Sequence, residues 1–289
     1  MPDLPAYAVL WLIGACLRLT ILVVPPLLPQ LHAALGLSEG QVGLLSALPP
    51  LMFAAAAVPG SFLVARFGIG ATLLAGLVLN TVASAARGAA PHVGFLYAST
   101  LCMAGGVAIS QPALPPLVRA RFPRRVGFAT AVFSNGLLVG EVLAAALTRP
   151  LVLPLAAGDW RVTFVLWALP VLLTTVLVLA YGHHLFPRHA ASTLRGRWMP
   201  DWSDPLVWRL GLLLGGVNAL YLVSNAFLPD YATAVGHPER IEGALTAINL
   251  AQIPASLLMM GVAGRLATRR WASGVRHQPR QVHVFVEAS

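Results

Sequence analysis

The chain has 289 residues, 57% of them hydrophobic and only 10% charged, with a formal net charge of +9. Soluble domains carry about 25% charged residues, so this composition excludes an ordinary soluble enzyme, a disordered chain and a disulfide scaffold. Together with a mean hydropathy of +0.76, it predicts an all-α polytopic membrane protein whose basic residues report topology, with no nucleic acid as partner.

A hydrocarbon core needs about 20 apolar residues per helix. Eight segments reach that length: 6–31, 40–64, 71–88, 93–118, 126–149, 160–182, 206–234 and 243–266. The start, MPDLPAYAVLWLIGA, lacks a basic n-region and reads as the first membrane helix, not a cleaved leader. Arg18 falls near the middle of that helix, where an arginine costs at least ~2.5 kcal/mol on insertion scales. Its fork of donors suits a small anion or an electron-rich group, and a structural ion pair is the competing explanation. Proline interrupts several segments, at Pro25, Pro26 and Pro29, at Pro49 and Pro50, at Pro112, Pro115 and Pro116, and at Pro254. Membrane helices tolerate this because neighbouring helices take up the freed carbonyls.

In the fourth segment Ser110 and Gln111 precede Pro112 as minor cavity candidates. In the fifth, Glu141 lies mid-span with Ser134 seven residues earlier on the same face. Glu141 is expected either to pair with Arg18 or to carry a coupling proton. The residues between the sixth and seventh segments, 183–205, read as a cytoplasmic linker. His183 and His184 sit at its near edge, where a solvated helix end explains them better than a metal. In the seventh segment Asn218, Tyr221 and Asn225 recur at i, i+3, i+7. In the eighth, Thr246, Asn249, Gln252 and Ser256 form a similar stripe. Each set shares one helix face and is expected to line a cavity or to bond between helices. Residues 271–289 read as a basic cytoplasmic tail.

Cys16 and Cys102 both lie in apolar stretches, so neither a disulfide framework nor a metal cluster is expected. Walker, HExxH and G-x-S-x-G motifs are missing, so neither an enzyme nor direct ATP drive is expected, and no cofactor. All nineteen basic residues are arginine. Fourteen fall in one set of loops and the tail. Four fall opposite: Arg87, Arg149, Arg161 and Arg240. That bias puts the arginine-rich side, and both termini, in the cytoplasm.

The chain also repeats itself at an offset of 200. Pro29, Gly36, Glu39 and Gly43 recur at Pro229, Gly236, Glu239 and Gly243, among thirteen identities in forty-six positions. The seventh and eighth helices therefore repeat the first and second, as in transporters built from two parallel six-helix halves. This gives an N-terminal half over 1–182, the linker 183–205, a partial C-terminal half over 206–270 and the tail. About four helices of the second half are expected to be missing by truncation. A natural eight-helix protein is the alternative.

Four stretches carry a resemblance: GACLRLTILVVPPLLPQLHAALGLS, FATAVFSNGLLVGEVLAAALTRPL, GDWRVTFVLWALP and INLAQIPASLL. On these the chain resembles the major facilitator superfamily, and within it the cyanate/nitroimidazole permease group, over about residues 6–270. The resemblance implies the major facilitator fold, here a complete N-terminal six-helix half plus the first two helices of the C-terminal half. It implies secondary active transport by alternating access, often proton-coupled, in the bacterial inner membrane. Two departures stand out. In the loop between helices two and three, Leu63, Arg66 and Gly68 fit, but Ala65 replaces the acid, and Ile69 and Gly70 replace the basic pair. In the first helix Cys16 replaces an asparagine, while Arg18 is kept.

The expected function is transport of a small anionic or nitro-bearing solute, bound by Arg18, Glu141, Asn218, Tyr221, Asn225, Asn249 and Gln252. The expected partners are that small-molecule substrate, the lipid bilayer and a coupling proton. Export of amphipathic drugs is one alternative. Another is a truncated, non-transporting membrane fragment or assembly partner, for which oligomerisation is expected.

Overall fold

A computed structural model of the chain describes residues 4–185, 202–237, 240, 243–244, 247–255 and 257–258. The linker 186–201, the tail beyond 258, Thr246 and Ser256 lie outside the described residues, as do the side chains of His183, His184 and Asn225.

The secondary structure of the described residues is helical. The first span is α1 (Leu4–Leu22) followed by α2 (Val24–Leu35). Val23 keeps helical dihedrals, φ −69° and ψ −27°, so the span bends there and continues. The cause is local: Pro25 and Pro26 have no N–H to offer the carbonyls of Ile21 and Leu22. Gly36 ends α2 at φ 60°, a left-handed cap that favours glycine. Ser38 then starts α3 (Glu39–Phe67) with a capping box: its Oγ accepts from Gln41 N, and Gln41 Oε1 accepts from Ser38 N. Gly68, at φ 87°, makes the sharp turn into α4 (Ile69–Gly88).

His92 begins α5 (Val93–Ser110) by accepting from Phe95 N. A 3-10 turn then leads into α6 (Leu114–Arg121). Likewise α7 (Val126–Leu147) passes through a π turn at Thr148–Val152, around Pro150, into α8 (Leu153–Leu155). The sixth span is α9 (Trp160–Leu185), and α10 (Pro205–Ala234) follows the linker. Six runs are long and apolar enough to cross a membrane: Leu4–Leu35, Gly40–Phe67, Ile69–Gly88, Val93–Arg121, Val126–Leu155 and Trp160–Gly182. They fall on the first six expected segments. The seventh expected segment forms α10, and residues 247–255 of the eighth are helical.

Packing organises these helices around α1, α4 and α5. The main contacts of α1 are with α7, and those of α4 are with α5 and α9, while α3 packs on α5. Two apolar clusters divide the interior by depth. One holds Leu10, Leu17, Leu73, Leu77 and Met103; the other holds Leu19, Leu27, Leu31, Leu96 and Phe164. Arg18 therefore falls at the level where one cluster gives way to the other. Much of α3, and α10 from 208 to 220, leaves apolar side chains exposed. For a membrane protein that is the expected state of a surface facing lipid.

One topological assignment needs correcting. Arg87 is not a loop arginine: it is fully buried in the last turn of α4. The helix runs on to Gly88, and α1 and α9 cover its end. Of the four arginines counted on the opposite side, Arg87 is thus a buried helix residue, which leaves Arg149, Arg161 and Arg240.

Candidate functional site

The crossing of α1 and α7 is built on glycine. A Cβ at Gly136 would lie 3.1 Å from the carbonyl carbon of Trp11, and one at Gly140 would lie 2.8 Å from that of Ala15. A Cβ at Gly14 on α1 would lie 3.2 Å from the backbone nitrogen of Leu137. The spacing Gly136-x-x-x-Gly140 puts both glycines on one face, so two backbones meet without side chains between them. A hydrogen bond fixes the register: Trp11 Nε1 donates to Asn135 Oδ1 at 2.9 Å.

That crossing carries the two mid-span charges. Glu141 follows Gly140 directly and is turned inward, with its side chain 6% exposed. Arg18 lies one turn beyond Gly14 on the facing helix, and its side chain is 27% exposed. Arg18 Nη1 lies 3.2 Å from Glu141 Oε1, an ion pair. Burying either charge alone would cost several kcal/mol, and each offsets the other.

A polar patch from the later helices closes on this pair. Tyr221 of α10 reaches Glu141 Oε2 at 3.4 Å and Asn249 Oδ1 at 2.6 Å. Gln252 also interacts with the Tyr221 hydroxyl. A phenol has one proton, so it donates to only one of the two oxygens at a time. The 2.6 Å contact is the better donor geometry. With the Asn249 amide flipped, its Nδ2 donates to the phenol oxygen and the O–H is released to Glu141. The chain Arg18–Glu141–Tyr221–Asn249 thus joins residues from both ends of the sequence, the single phenol proton serving one of its last two links at a time.

Five of the seven sequence-derived candidates are brought together: Arg18, Glu141, Tyr221, Asn249 and Gln252. Asn218 is exposed one turn earlier on α10, and the side chain of Asn225 lies outside the described residues. Ser110 is buried and turned back onto its own helix, donating to Gly106 O at 2.8 Å, while Gln111 is half-buried. Cys16 Sγ lies 3.1 Å from Thr174 Oγ1 in the α1–α9 contact, so the residue at the expected asparagine position bonds between helices. Three elements were missed in the sequence: the Trp11–Asn135 bond, the glycine crossing and the buried Arg87. The G-x-x-x-G at 136–140 was the available signal for the second. For the third it was the polar stripe Asn80, Ser84, Arg87 at i, i+4, i+7.

The family model described as Major Facilitator Superfamily matches residues 10–280. The Cyanate transport protein CynX of Escherichia coli (strain K12) is 31% identical over 258 residues, covering 88% of this chain and 66% of the relative. The 2-nitroimidazole transporter of the same organism is 32% identical over 239 residues, covering 81% and 59%. An uncharacterized transporter, YycB, of Bacillus subtilis (strain 168) is 26% identical over 256 residues, covering 88% and 62%. The chain thus spans 59–66% of the length of these curated relatives. Among solved structures, the proton:xylose symporter XylE bound to 6-bromo-6-deoxy-D-glucose superposes with a TM-score of 0.64 at 17% identity, covering 89% of this chain and 68% of that one. At that identity the likeness speaks to the fold alone.

Proposed function

The chain belongs to the Major Facilitator Superfamily, and we propose that it serves secondary active transport of a small anionic or nitro-bearing solute, with Arg18 as the principal contact. The observation that carries this reading is the Arg18–Glu141 pair, set between two apolar clusters and faced by Tyr221 and Asn249. The two curated relatives named for cyanate and 2-nitroimidazole support the solute class.

The chemistry follows from charge balance. Arg18 and Glu141 neutralise each other in the empty site. A monoanion that takes the guanidinium leaves the Glu141 carboxylate unpaired and nearly buried, which is costly in a low-dielectric interior. A proton on Glu141 restores neutrality, so one anion and one proton enter the site together. A protonated Glu141 can in turn donate to Tyr221 or to the solute. Alternating access then rocks the N-terminal half, 1–182, against helices from 206 onward, with the site at their boundary. The arginine bias supports an inner-membrane orientation with both termini cytoplasmic.

The test is ligand-dependent thermal unfolding of the purified chain in detergent, with cyanate and 2-nitroimidazole as probes. Binding to the folded state raises the unfolding temperature saturably. Loss of charge-assisted hydrogen bonds of about 1.5–3 kcal/mol predicts that Arg18→Ala weakens the effect roughly 10- to 100-fold. An unchanged response in Arg18→Ala would show that the arginine is structural.

A further inference from the structure

Arg87 has no place in the transport reading, yet it is the largest fully buried side chain among the described residues. Its Nη2 donates to the main-chain carbonyl of Thr20 at 2.9 Å and lies 3.5 Å from Ser84 Oγ. The guanidinium sits 4.6 Å from the centroid of the Phe164 ring on α9. Its charge faces no carboxylate within ion-pair distance among the described residues. What it does face is two helix ends. It occupies the last turn of α4, and it holds a carbonyl in the last turn of α1. Carbonyl-rich helix C-termini carry a partial negative charge of about −0.5 each, and a cation placed against them is stabilised.

The end of α1 has particular need of such a cation. Pro25 and Pro26 deprive Ile21 and Leu22 of their helical donors, and the span bends at Val23. Thr20 is the residue held just before this bend. Arg18 is two residues earlier still, one turn from the end of α1. The Thr20 carbonyl adjoins those of Ile21 and Leu22 and has Val24 N–H to accept from; Arg87 adds a charged second donor, and without it the last turn of α1 would be held less firmly, as under-supported helix ends are. Arg18 would move with it.

We propose that Arg87 is a positioning residue for Arg18. It clamps the bent end of α1 between α4 and α9, and so holds the Arg18 guanidinium against Glu141. This rests on the reading of Arg18 as the solute contact, but its test needs no solute. A hydrophobic carbodiimide reacts with a protonated carboxyl group in a membrane interior and spares a carboxylate held in an ion pair. Labelling of Glu141, read by mass spectrometry of the full chain, therefore reports whether the pair is intact.

In Arg18→Gln, Glu141 labelling rises because its partner is gone. The proposal predicts a rise in Arg87→Gln as well, roughly tenfold, the scale expected when a charge-assisted hydrogen bond is lost. Arg87→Lys keeps the charge at the helix ends and stays near wild type. A residue that merely supports the fold would lower the unfolding temperature of Arg87→Gln without changing Glu141 labelling in the folded fraction. That outcome overturns the proposal. Should Arg87→Gln fail to fold, Phe164→Glu decides, since it sets a carboxylate beside the guanidinium to compete with the Thr20 carbonyl: increased Glu141 labelling supports the clamp, and unchanged labelling overturns it. Failure of both cyanate and 2-nitroimidazole to stabilise the wild-type chain would sink the transport reading and leave the labelling result standing.

Discussion

Gly140→Ala probes the α1–α7 crossing that the site depends on. A Cβ at this position would stand 2.8 Å from both the Cα and the carbonyl carbon of Ala15. Carbon atoms in contact prefer about 3.5–4.0 Å, and the Ala15 carbonyl oxygen is nearer still, so the two helices must part by at least about 0.7 Å. Added to the 3.2 Å of the Arg18–Glu141 pair, that displacement stretches it to about 3.9 Å, at the edge of ion-pair range. Overpacking of this kind costs ~1–3 kcal/mol. The alanine returns ~1 kcal/mol through its higher helix propensity, leaving a net loss of up to ~2 kcal/mol. Gly215→Ala supplies the control: it lies in α10 with nothing within 4 Å of its Cβ position, so it has only the propensity gain. Thermal unfolding in detergent, followed by tryptophan fluorescence, should place Gly140→Ala below wild type and Gly215→Ala at or above it. A Gly140→Ala chain as stable as Gly215→Ala would refute the reasoning, because the close approach of α1 and α7 would then carry no energetic weight.

The remaining predictions concern the pair and the topology. Removing one partner of the Arg18–Glu141 pair strands the other, at ~3–5 kcal/mol for a buried pair, and toward the lower end here because Arg18 is 27% exposed. Arg18→Met and Glu141→Met should each destabilise, and the double variant should lose less than their sum; strictly additive unfolding free energies would mean that the two charges are uncoupled. The arginine bias predicts that a membrane-impermeant thiol reagent applied from outside labels His237→Cys and misses Arg124→Cys, with Cys16 and Cys102 replaced by alanine. The reverse pattern would invert the orientation.

Much of the architecture was legible along the chain because a bilayer imposes a one-dimensional rule. Each span must be about 20 residues long and apolar, and each internal charge is costly enough to need a reason. That rule located the first six spans, and it singled out Arg18 and Glu141 before any contact was known. The repeat at an offset of 200 was equally visible, and its paired glycines share a conformation: φ is 60° at Gly36 and 83° at Gly236. Glycine suits both places because few other residues take that backbone cheaply.

Depth and rotation about a helix axis are not one-dimensional. Arg87 reads as a loop charge when only the distance along the sequence is counted. It proves buried because α1 and α9 fold over the end of α4, and because Thr20 and Phe164, far away in sequence, meet its guanidinium. Glycines at 136 and 140 are consistent with flexibility, with a bend or with a close crossing. Only the backbone of Trp11 and Ala15 against them decides for a crossing. The stripe Asn218, Tyr221, Asn225 names a face and leaves its target open. It took the tertiary arrangement to turn Tyr221 onto Glu141 and Asn249, since a hydroxyl finds its acceptors by distances of a few ångströms that no sequence spacing encodes.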